Sequence, residues 1–200
     1  QVVVAEHERA WQPLTPQAVA EIFAAADFPW WIAGGFAIDH FVGRPLRCHG
    51  DIDVFLLRVD QAAVRALLAR WDCWMAYPPG TLRPWSTDIA LPSHVTDVWC
   101  REVGGPWRFQ LMFDESDGPL WRSRRAAAVT RPIAELGTRG AQCIPFLAPE
   151  VQLFYKAKAP RPKDEIDFAA AWPLLSQSQQ AWLKAAIAAA YGAENAWLAA

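Results

Sequence analysis

Ile32-Ala33-Gly34-Gly35-Phe36-Ala37-Ile38-Asp39 is the stretch of sequence that decides the fold. The apolar run from 30 to 33 contains strand-forming residues, the two glycines allow a tight turn, and residues 36 to 41 have helical character. The order is therefore strand, glycine turn, helix. The N–H groups at such a helix start, together with the positive end of the helix dipole, favour an anion and most often a phosphate.

A second motif, His49-Gly50-Asp51-Ile52-Asp53-Val54-Phe55, follows after a short basic segment. Asp51 and Asp53 are two residues apart on a strand predicted to run to Leu57, so their side chains point to the same face. Because the residues around them are apolar, two unpaired carboxylates would be costly here without a cation. Mg²⁺ suits this arrangement, since it is usually held by one or two carboxylates and by substrate phosphates.

Either motif is common alone, but a known family shares their combination. The sequence resembles the signature of the DNA-polymerase-beta-like nucleotidyltransferases, nearest the branch that holds the aminoglycoside and lincosamide nucleotidyltransferases. The close resemblance covers about residues 15 to 60, and a looser likeness continues to the end of the chain. The residues that carry it are Gly34-Gly35-Phe36-Ala37-Ile38-Asp39, Gly43-Arg44, Arg47, His49 and Asp51-Ile52-Asp53.

The resemblance implies an activity and a set of ligands. In that family, two carboxylates of the first strand and one of a neighbouring strand hold two Mg²⁺ ions. The ions align an acceptor hydroxyl with the α-phosphate of a nucleoside triphosphate such as ATP, and pyrophosphate leaves, so the protein supplies position and charge. Asp51 and Asp53 are the expected catalytic residues and first two metal ligands, with Gly34-Gly35 at the phosphates.

The third carboxylate is missing from its expected position. That position lies in the second strand of a hairpin predicted around Gly104-Gly105, and its best match is Gln110. An amide offers a metal one neutral oxygen but cannot take a proton from a hydroxyl. If the turn has two residues, Asp97 is a diagonal neighbour of Gln110, at about 7 Å between Cα atoms, and a candidate metal ligand. A three-residue turn would put Asp97 on the other face, and a solvated strand carboxylate is its alternative.

Basic residues provide candidate contacts to the nucleotide. Arg44 and Arg47 flank the loop that forms the site. His49 could orient a carboxylate or a phosphate, although a lone histidine is as often a local hydrogen-bonding residue. The resemblance implies that a basic residue of the C-terminal helices meets the triphosphate, which makes Lys156 and Lys163 candidates. Solvated helix charges that pair with nearby acids are the alternative.

Composition sets the class of protein. Apolar residues make up 53% of the chain and charged residues 20%, which is typical of a globular protein with a core. The formal net charge of -2 disfavours nucleic-acid binding by broad phosphate neutralisation, and no apolar run approaches the ~20 residues of a membrane helix.

Four scattered cysteines should be reduced and buried, which indicates a cytoplasmic protein. Most of the 12 tryptophans should fill the core, while one or two exposed rings could stack on a base or sugar.

The remaining patterns predict an α+β fold, a nucleotidyltransferase-like mixed β-sheet with packed helices and a helical C-terminal segment. A helix should run from Thr15 to about Ala26, another should be capped by Asp60, and Ser178 should cap the last. The hairpin strands should cover 94–101 and 107–113, with an irregular loop at 77–92 that has room for one short strand and a further loop around 137–145. We expect a core at 1–147 and a helical segment at 148–200 that form one compact unit.

Functions of different classes stay open at this point. The first is a Mg²⁺-dependent nucleotidyltransferase that moves a nucleoside monophosphate onto a hydroxyl of a small molecule, as antibiotic-resistance enzymes of the resembled branch do. The second is a nucleotide-binding relative that is catalytically impaired because Gln110 replaces the third acid. A weaker third is a toxin-type enzyme that modifies a tRNA or a protein. The formal net charge of -2 disfavours the tRNA-modifying form.

Overall fold

The computed structural model of the chain describes residues 10–200, and the first nine residues of the predicted 1–147 segment lie outside it. Within that range the chain forms the predicted α+β fold, a mixed β-sheet with packed helices. The helices are α1 (Pro16–Ile22), α2 (Gly35–Val42), α3 (Gln61–Leu67), α4 (Pro149–Lys156), α5 (Pro162–Ala171) and α6 (Gln177–Tyr191). The strands are β1 (Trp30–Ala33), β2 (Asp53–Leu57), β3 (Asp72–Met75), β4 (Arg83–Pro84), β5 (Asp97–Arg101), β6 (Trp107–Asp117), β7 (Leu120–Arg122), β8 (Thr130–Pro132), β9 (Gly137–Arg139) and β10 (Pro145–Leu147).

Two compact units divide the chain between them. The first unit contains the described residues up to Ile32 together with His49–Asp114, and the second contains Ala33–Cys48 and Glu115–Ala200. Each unit is assembled from two separate parts of the sequence, because the segment 33–48 groups with the C-terminal half. The division into 1–147 and 148–200 stays a prediction.

The first unit is built on the strands β4-β3-β5-β6-β2-β1, in that order across the sheet. β2 runs parallel to β6, whereas β5 is antiparallel to both β6 and β3. Buried and half-buried residues alternate along β5 and most of β6, so one face of these strands is covered and the other is half open. On the covered face, the ring centroid of Phe109 lies 6.3 Å from that of Phe23 and 4.8 Å from that of Trp71. Polar side chains of β5 and β6 therefore lie on the half-open face.

The second unit combines helices with short antiparallel ladders. All residues of α4 are buried, and this helix contacts α2, α5 and α6. Phe154 on α4 stacks on Tyr191 of α6, with ring centroids 5.2 Å apart. The end of β6 pairs with β7, β7 pairs with β8, and β9 pairs with β10. No helix in the described part of the chain is long and apolar enough to span a membrane.

Local signals explain where two of the helices begin. The Thr15 side chain accepts a backbone N–H bond at 3.2 Å and Pro16 opens α1, as the sequence predicts. α6 begins after Ser176, whose hydroxyl accepts from the Gln179 N–H while the Gln179 side chain accepts from the Ser176 N–H. Ser178 is therefore wrong as the predicted cap, because the reciprocal bonds of Ser176 satisfy two backbone donors at once.

The elements that flank the two motifs are shorter than predicted. α1 ends at Ile22 rather than near Ala26. β2 begins at Asp53, so Asp51 lies just before the strand instead of within it. Asp60 precedes α3 at the capping position, but its side chain makes no capping hydrogen bond within residues 10–200. Tertiary packing rather than local propensity sets the length of such short elements.

Strand structure is more extensive than predicted in the second unit. The acidic stretch 114–117, predicted to end the hairpin, continues β6 because Glu115 pairs with Arg122 of β7. β9 and β10 lie in the segment predicted as a loop, and they pair with each other. Strands of three residues that contain Gly or Pro carry no readable alternation, so their ladder is visible only in the folded chain.

Candidate active site

Parallel pairing of β2 with β6 sets Asp53 beside Gln110 in the first unit. Residues opposite each other in a ladder share one face, so the two polar side chains are neighbours on the half-open face. Both are half-buried. The Gln110 N–H donates to the Ile52 carbonyl oxygen at 2.9 Å, which anchors the chain between Asp51 and Asp53. The strand next to the Asp-x-Asp motif thus presents an amide in register with Asp53.

The hairpin of β5 and β6 has the register that the sequence predicts. Trp99 lies opposite Gln110, and Asp97 lies opposite Met112. Asp97 is therefore diagonal to Gln110, and Gln110 Nε2 donates to Asp97 Oδ1 at 3.5 Å, while the Thr96 hydroxyl donates to Oδ2 at 3.3 Å. Both hydrogen bonds are long and weak. Because the amide nitrogen donates to Asp97, Oε1 is the Gln110 side-chain atom with acceptor capacity for a metal ion.

The turn of this hairpin lies one residue earlier than predicted. The Gly105 N–H donates to the Glu102 carbonyl oxygen at 2.9 Å, which makes Gly104 the third residue of the turn. Gly104 has a φ of 74°, a left-handed conformation that glycine adopts without strain. A turn one residue earlier would by itself set Asp97 directly opposite Gln110 instead of diagonal to it. A register irregularity directly after Cys100 offsets the shift, so the predicted pairing of the strands is preserved.

The oxygen donors of the first unit fit Mg²⁺. Asp51 and Asp53 offer carboxylates, and the Gln110 amide oxygen belongs to the residue in register with Asp53. Hard oxygen ligands of this kind are the ones that Mg²⁺ prefers. Within residues 10–200, no group of three or more His, Cys, Asp or Glu side chains is placed to hold a metal ion.

The glycine turn lies in the second unit and begins α2, which confirms the predicted order of strand, turn and helix. Gly34 has φ of 70° and ψ of -151°, a conformation that favours glycine. Its N–H donates to Oε1 of Gln152 at 2.7 Å, and Gln152 is buried on α4. A side chain 118 positions away therefore fixes the turn, and no local pattern identifies Gln152 in the sequence.

Two of the predicted nucleotide-binding cations belong to a buried ion network in the second unit. Arg47 donates to both oxygens of Asp167, from Nε at 3.2 Å and from Nη2 at 3.0 Å. Lys156 Nζ lies 2.9 Å from an oxygen of Asp167 and 2.8 Å from an oxygen of Asp164. The Asp167 side chain is fully buried, and that of Lys156 is 6% exposed. Lys156 is thus paired with nearby acids but is not a solvated helix charge.

The same network changes the titration of Asp164. Burial would raise the pKa of Asp164, but hydrogen bonds from Arg161 and Lys156 outweigh burial and hold that pKa well below its usual range. Arg161 donates to Asp164 Oδ2 from Nε at 2.7 Å and from its backbone N–H at 3.0 Å. The carboxylate is therefore ionised in the folded unit at neutral pH.

The other predicted nucleotide contacts are more accessible. Arg44 is exposed in the loop after α2, and Lys163 is partly exposed in the first turn of α5. His49 is half-buried in the first unit. The loop that carries Arg44 is held by Asp39, whose Oδ1 accepts from the Leu46 N–H at 3.1 Å. Asp39, the last residue of the glycine motif, thus stabilises this loop, a role that the sequence pattern does not predict.

Known proteins share the sequence pattern of this chain. The family model described as aminoglycoside-2''-adenylyltransferase matches residues 17–171. That range includes both motifs and the ion network of the second unit. No curated protein sequence is significantly similar to the chain.

Solved structures share its fold. The crystal structure of ANT(2")-Ia in complex with adenylyl-2"-tobramycin is similar at 18% identity, over 86% of this chain and 95% of that chain, with a TM-score of 0.54. The lincomycin-bound lincosamide antibiotic adenylyltransferase LnuA is similar at 14% identity, over 87% of this chain and 100% of that chain, with a TM-score of 0.55. At these identities the likeness shows a common fold.

Proposed function

The chain belongs to the aminoglycoside-2''-adenylyltransferase family, and from that premise we propose that it is a Mg²⁺-dependent nucleotidyltransferase. It moves a nucleoside monophosphate from a nucleoside triphosphate, such as ATP, to a hydroxyl of a small molecule, and pyrophosphate leaves. The observation that carries the proposal is the register of Asp53 with Gln110, diagonal to Asp97, on the half-open face of the sheet. Oxygen donors gathered there suit a metal-bound triphosphate.

Each polar side chain of this face has a separate task in the proposal. Asp51 and Asp53 hold Mg²⁺, and Gln110 Oε1 adds a neutral ligand. When bound, the two ions that the family resemblance implies neutralise charge on the triphosphate and on the departing pyrophosphate. Because Gln110 cannot accept a proton, the carboxylate of Asp97, 3.5 Å from the Gln110 amide nitrogen, takes the proton of the acceptor hydroxyl.

The nucleotide contacts fall into direct and indirect ones. Arg44 and Lys163 are accessible cations that attract the triphosphate, and the start of α2 directs N–H groups and the positive end of its dipole at phosphate oxygens. Arg47 and Lys156 act through the ion network, which fixes the loop before the Asp-x-Asp motif. The residues proposed to contact the nucleotide are Gly34, Gly35, Arg44, His49 and Lys163, whereas Arg47 and Lys156 are the nucleotide-site residues proposed to act indirectly.

The acceptor is proposed to be a small molecule of the antibiotic type. The solved structures of similar fold hold an adenylylated tobramycin in one case and lincomycin in the other, which makes these two compounds suitable probes.

All four cysteines are free thiols. Two of them, Cys48 and Cys143, are exposed, whereas the sequence predicts that all four are buried. Free thiols support the proposed cytoplasmic location, where thiols stay reduced.

Acceptor-dependent release of pyrophosphate tests the proposal. Protein incubated with Mg²⁺, ATP and either lincomycin or tobramycin should release pyrophosphate faster than without acceptor, and EDTA should stop the release. Asp51→Asn and Asp53→Asn should abolish it, because each removes a charged metal ligand. The exposed Asp88→Asn is the matched control and should leave the rate unchanged. Release that persists in Asp51→Asn and Asp53→Asn contradicts the proposal.

A nucleotide-binding protein without catalysis is the second candidate, and Gln110 is the observation that favours it. The neutral amide of Gln110 lies in register with Asp53, where the family pattern has a third carboxylate. An amide supplies neither the negative charge nor the proton acceptor of a carboxylate. Calorimetric titration with Mg²⁺ and a non-hydrolysable ATP analogue separates the candidates. Binding without any pyrophosphate release supports the second, whereas the lack of binding contradicts both.

A further inference from the structure

Two buried cysteines face each other across strands β3 and β5 of the first unit. Cys73 lies directly opposite Cys100 in the antiparallel ladder, and their Sγ atoms are 3.6 Å apart. Cys73 is 2% exposed and Cys100 is 0% exposed. Side chains alternate along β5, so Cys100 points to the covered face, whereas Asp97 points to the half-open face. The cysteine pair therefore lies on the opposite face of the sheet from the candidate active site.

The backbone sets the two cysteines at a position of close approach in the ladder. The Ala76 N–H donates to the Asp97 carbonyl oxygen at 2.9 Å, whereas the Cys73 carbonyl oxygen accepts from the Trp85 N–H at 2.8 Å, on the side of β3 away from β5. Hydrogen-bonded and non-hydrogen-bonded pairs alternate along an antiparallel ladder, so Cys73 and Cys100 form a non-hydrogen-bonded pair. The Cα atoms of such pairs are about 4.5 Å apart, within the span of about 4.4–6.8 Å that a disulfide bridges.

The surroundings make Cys73 the more nucleophilic of the two thiols. A hydrogen bond from the Cys100 thiol lowers the pKa of Cys73, and the Arg65 charge adds to this effect, which outweighs the opposing effects of burial and of Asp72. Burial raises the pKa of the Cys100 thiol well above its ordinary value. Arg65 is itself buried, and its Nε donates to the Trp85 carbonyl oxygen at 2.9 Å. A neutral carbonyl does not cancel the guanidinium charge, which therefore favours a thiolate at Cys73.

We propose that Cys73 and Cys100 are a redox modification site, at which a peroxide converts the two thiols into a reversible disulfide between β3 and β5. The Cys73 thiolate attacks one peroxide oxygen, the O–O bond breaks, and the departing hydroxide takes up a proton to become water. Cys73 is then a sulfenic acid. The Cys100 sulfur attacks the Cys73 sulfur, the S–O bond breaks, the S–S bond forms, and the released hydroxide leaves as water with the Cys100 proton. Two electrons pass from the sulfurs to the peroxide, and a dithiol returns them by thiol–disulfide exchange.

The edge of the sheet gives a small oxidant access to the pair. β4, which lies outside β3 in the strand order, has two residues and both are exposed. Local opening of a short edge ladder needs less free energy than unfolding of the whole unit. A disulfide that forms transiently agrees with the proposed cytoplasmic location, where disulfides serve redox sensing or catalysis. The inference goes beyond the proposed transferase function and does not depend on it.

Thiol alkylation followed by mass spectrometry of the full chain tests the inference. A parent variant with Cys48→Ser and Cys143→Ser keeps the buried pair as the remaining two of four cysteines. The folded parent is treated with hydrogen peroxide, then with catalase, and is alkylated with iodoacetamide in urea. We expect a mass lower by two hydrogen atoms, no alkylation, and a digest in which one linked peptide joins Cys73 to Cys100. Dithiothreitol should restore both thiols. In the wild type, oxidation of the exposed Cys48 and Cys143 verifies the peroxide dose.

Two matched variants of the parent separate the roles of the cysteines. Cys100→Ala should leave Cys73 as a sulfenic acid that dimedone traps, because the second sulfur is gone. Cys73→Ala should slow oxidation of the remaining thiol at least about tenfold, because Cys100 has little thiolate character.

Three results overturn the inference. The first is a parent with two alkylated thiols at a dose that oxidises Cys48 and Cys143 in the wild type. The second is a disulfide that forms only when urea unfolds the parent before the peroxide is added. The third is oxidation of Cys73→Ala as fast as that of the parent. The parent has no substitution at either buried cysteine, so its result decides even if an alanine variant does not fold.

Discussion

Replacing Asp167 with asparagine removes a charge that two cations share in the second unit. The carboxylate is fully buried and accepts from Arg47 Nε and Nη2 at 3.2 Å and 3.0 Å, and from Lys156 Nζ at 2.9 Å. Asparagine keeps the shape but has one acceptor oxygen and no charge. Lys156 would then share the single carboxylate of Asp164 with Arg161. Breaking a buried charge pair in this way costs about 3–5 kcal/mol of folding free energy.

Urea unfolding followed by circular dichroism measures this cost. We expect the free energy of unfolding of Asp167→Asn to fall by about 3–5 kcal/mol at an unchanged m value. The exposed Asp88→Asn makes the same chemical change and should have no measurable effect. The double variant Lys156→Met with Asp167→Asn should recover part of the loss, because the uncompensated ammonium is gone. A loss below about 1 kcal/mol in Asp167→Asn, or strictly additive losses in the double variant, would refute this reasoning.

Three further variants probe the catalytic face, the acid response and a close contact. Gln110→Glu should speed pyrophosphate release at least about tenfold by supplying the missing charge and a proton acceptor, and an unchanged rate argues against Gln110 as the third ligand position. Because the pKa of Asp164 is depressed on folding, its stabilisation is complete above the unfolded pKa of about 4 and is lost as the pH falls through the folded value. Thermal unfolding at falling pH should show that loss in the wild type and not in Asp164→Asn. A Cβ at Gly140 would lie 2.6 Å from the His40 ring, so Gly140→Ala should lower the free energy of unfolding by about 1–3 kcal/mol. Gly50→Ala is the control and should not lower it, because a Cβ at Gly50 meets nothing within 4 Å. Equal melting temperatures of the two variants would contradict the predicted clash at Gly140.

Local rules predict the part of the candidate site that lies on continuous stretches of chain. The glycine turn at Gly34 and the strand from Asp53 follow from apolar runs and turn residues. The placement of Asp97 diagonal to Gln110 follows from alternation along a hairpin. Even so, the turn lies one residue from its predicted position, and the register survives because of an irregularity that no pattern in the sequence indicates.

Long-range partners account for what the sequence could not predict. Gln152 accepts from Gly34 across 118 positions, and Asp167 accepts from Arg47 across 120 positions. Both acceptors are buried polar residues on helices, Gln152 on the fully buried α4 and Asp167 on α5, and the spacing of apolar residues does not identify a buried polar group. The cap at Ser176, by contrast, has a local signature, because a Gln three residues after a Ser is the pattern of a capping box.

The early turn of the β5 and β6 hairpin offers a place to attach a reporter. Val103 at its tip is 85% exposed, and the irregularity after Cys100 separates the tip from the strand positions beside Gln110. A fluorescent dye coupled to Val103→Cys, with the exposed Cys48 and Cys143 replaced by serine, would leave that pairing undisturbed. Its emission would then follow the arrival of small molecules on the sheet in real time, without any coupled enzyme.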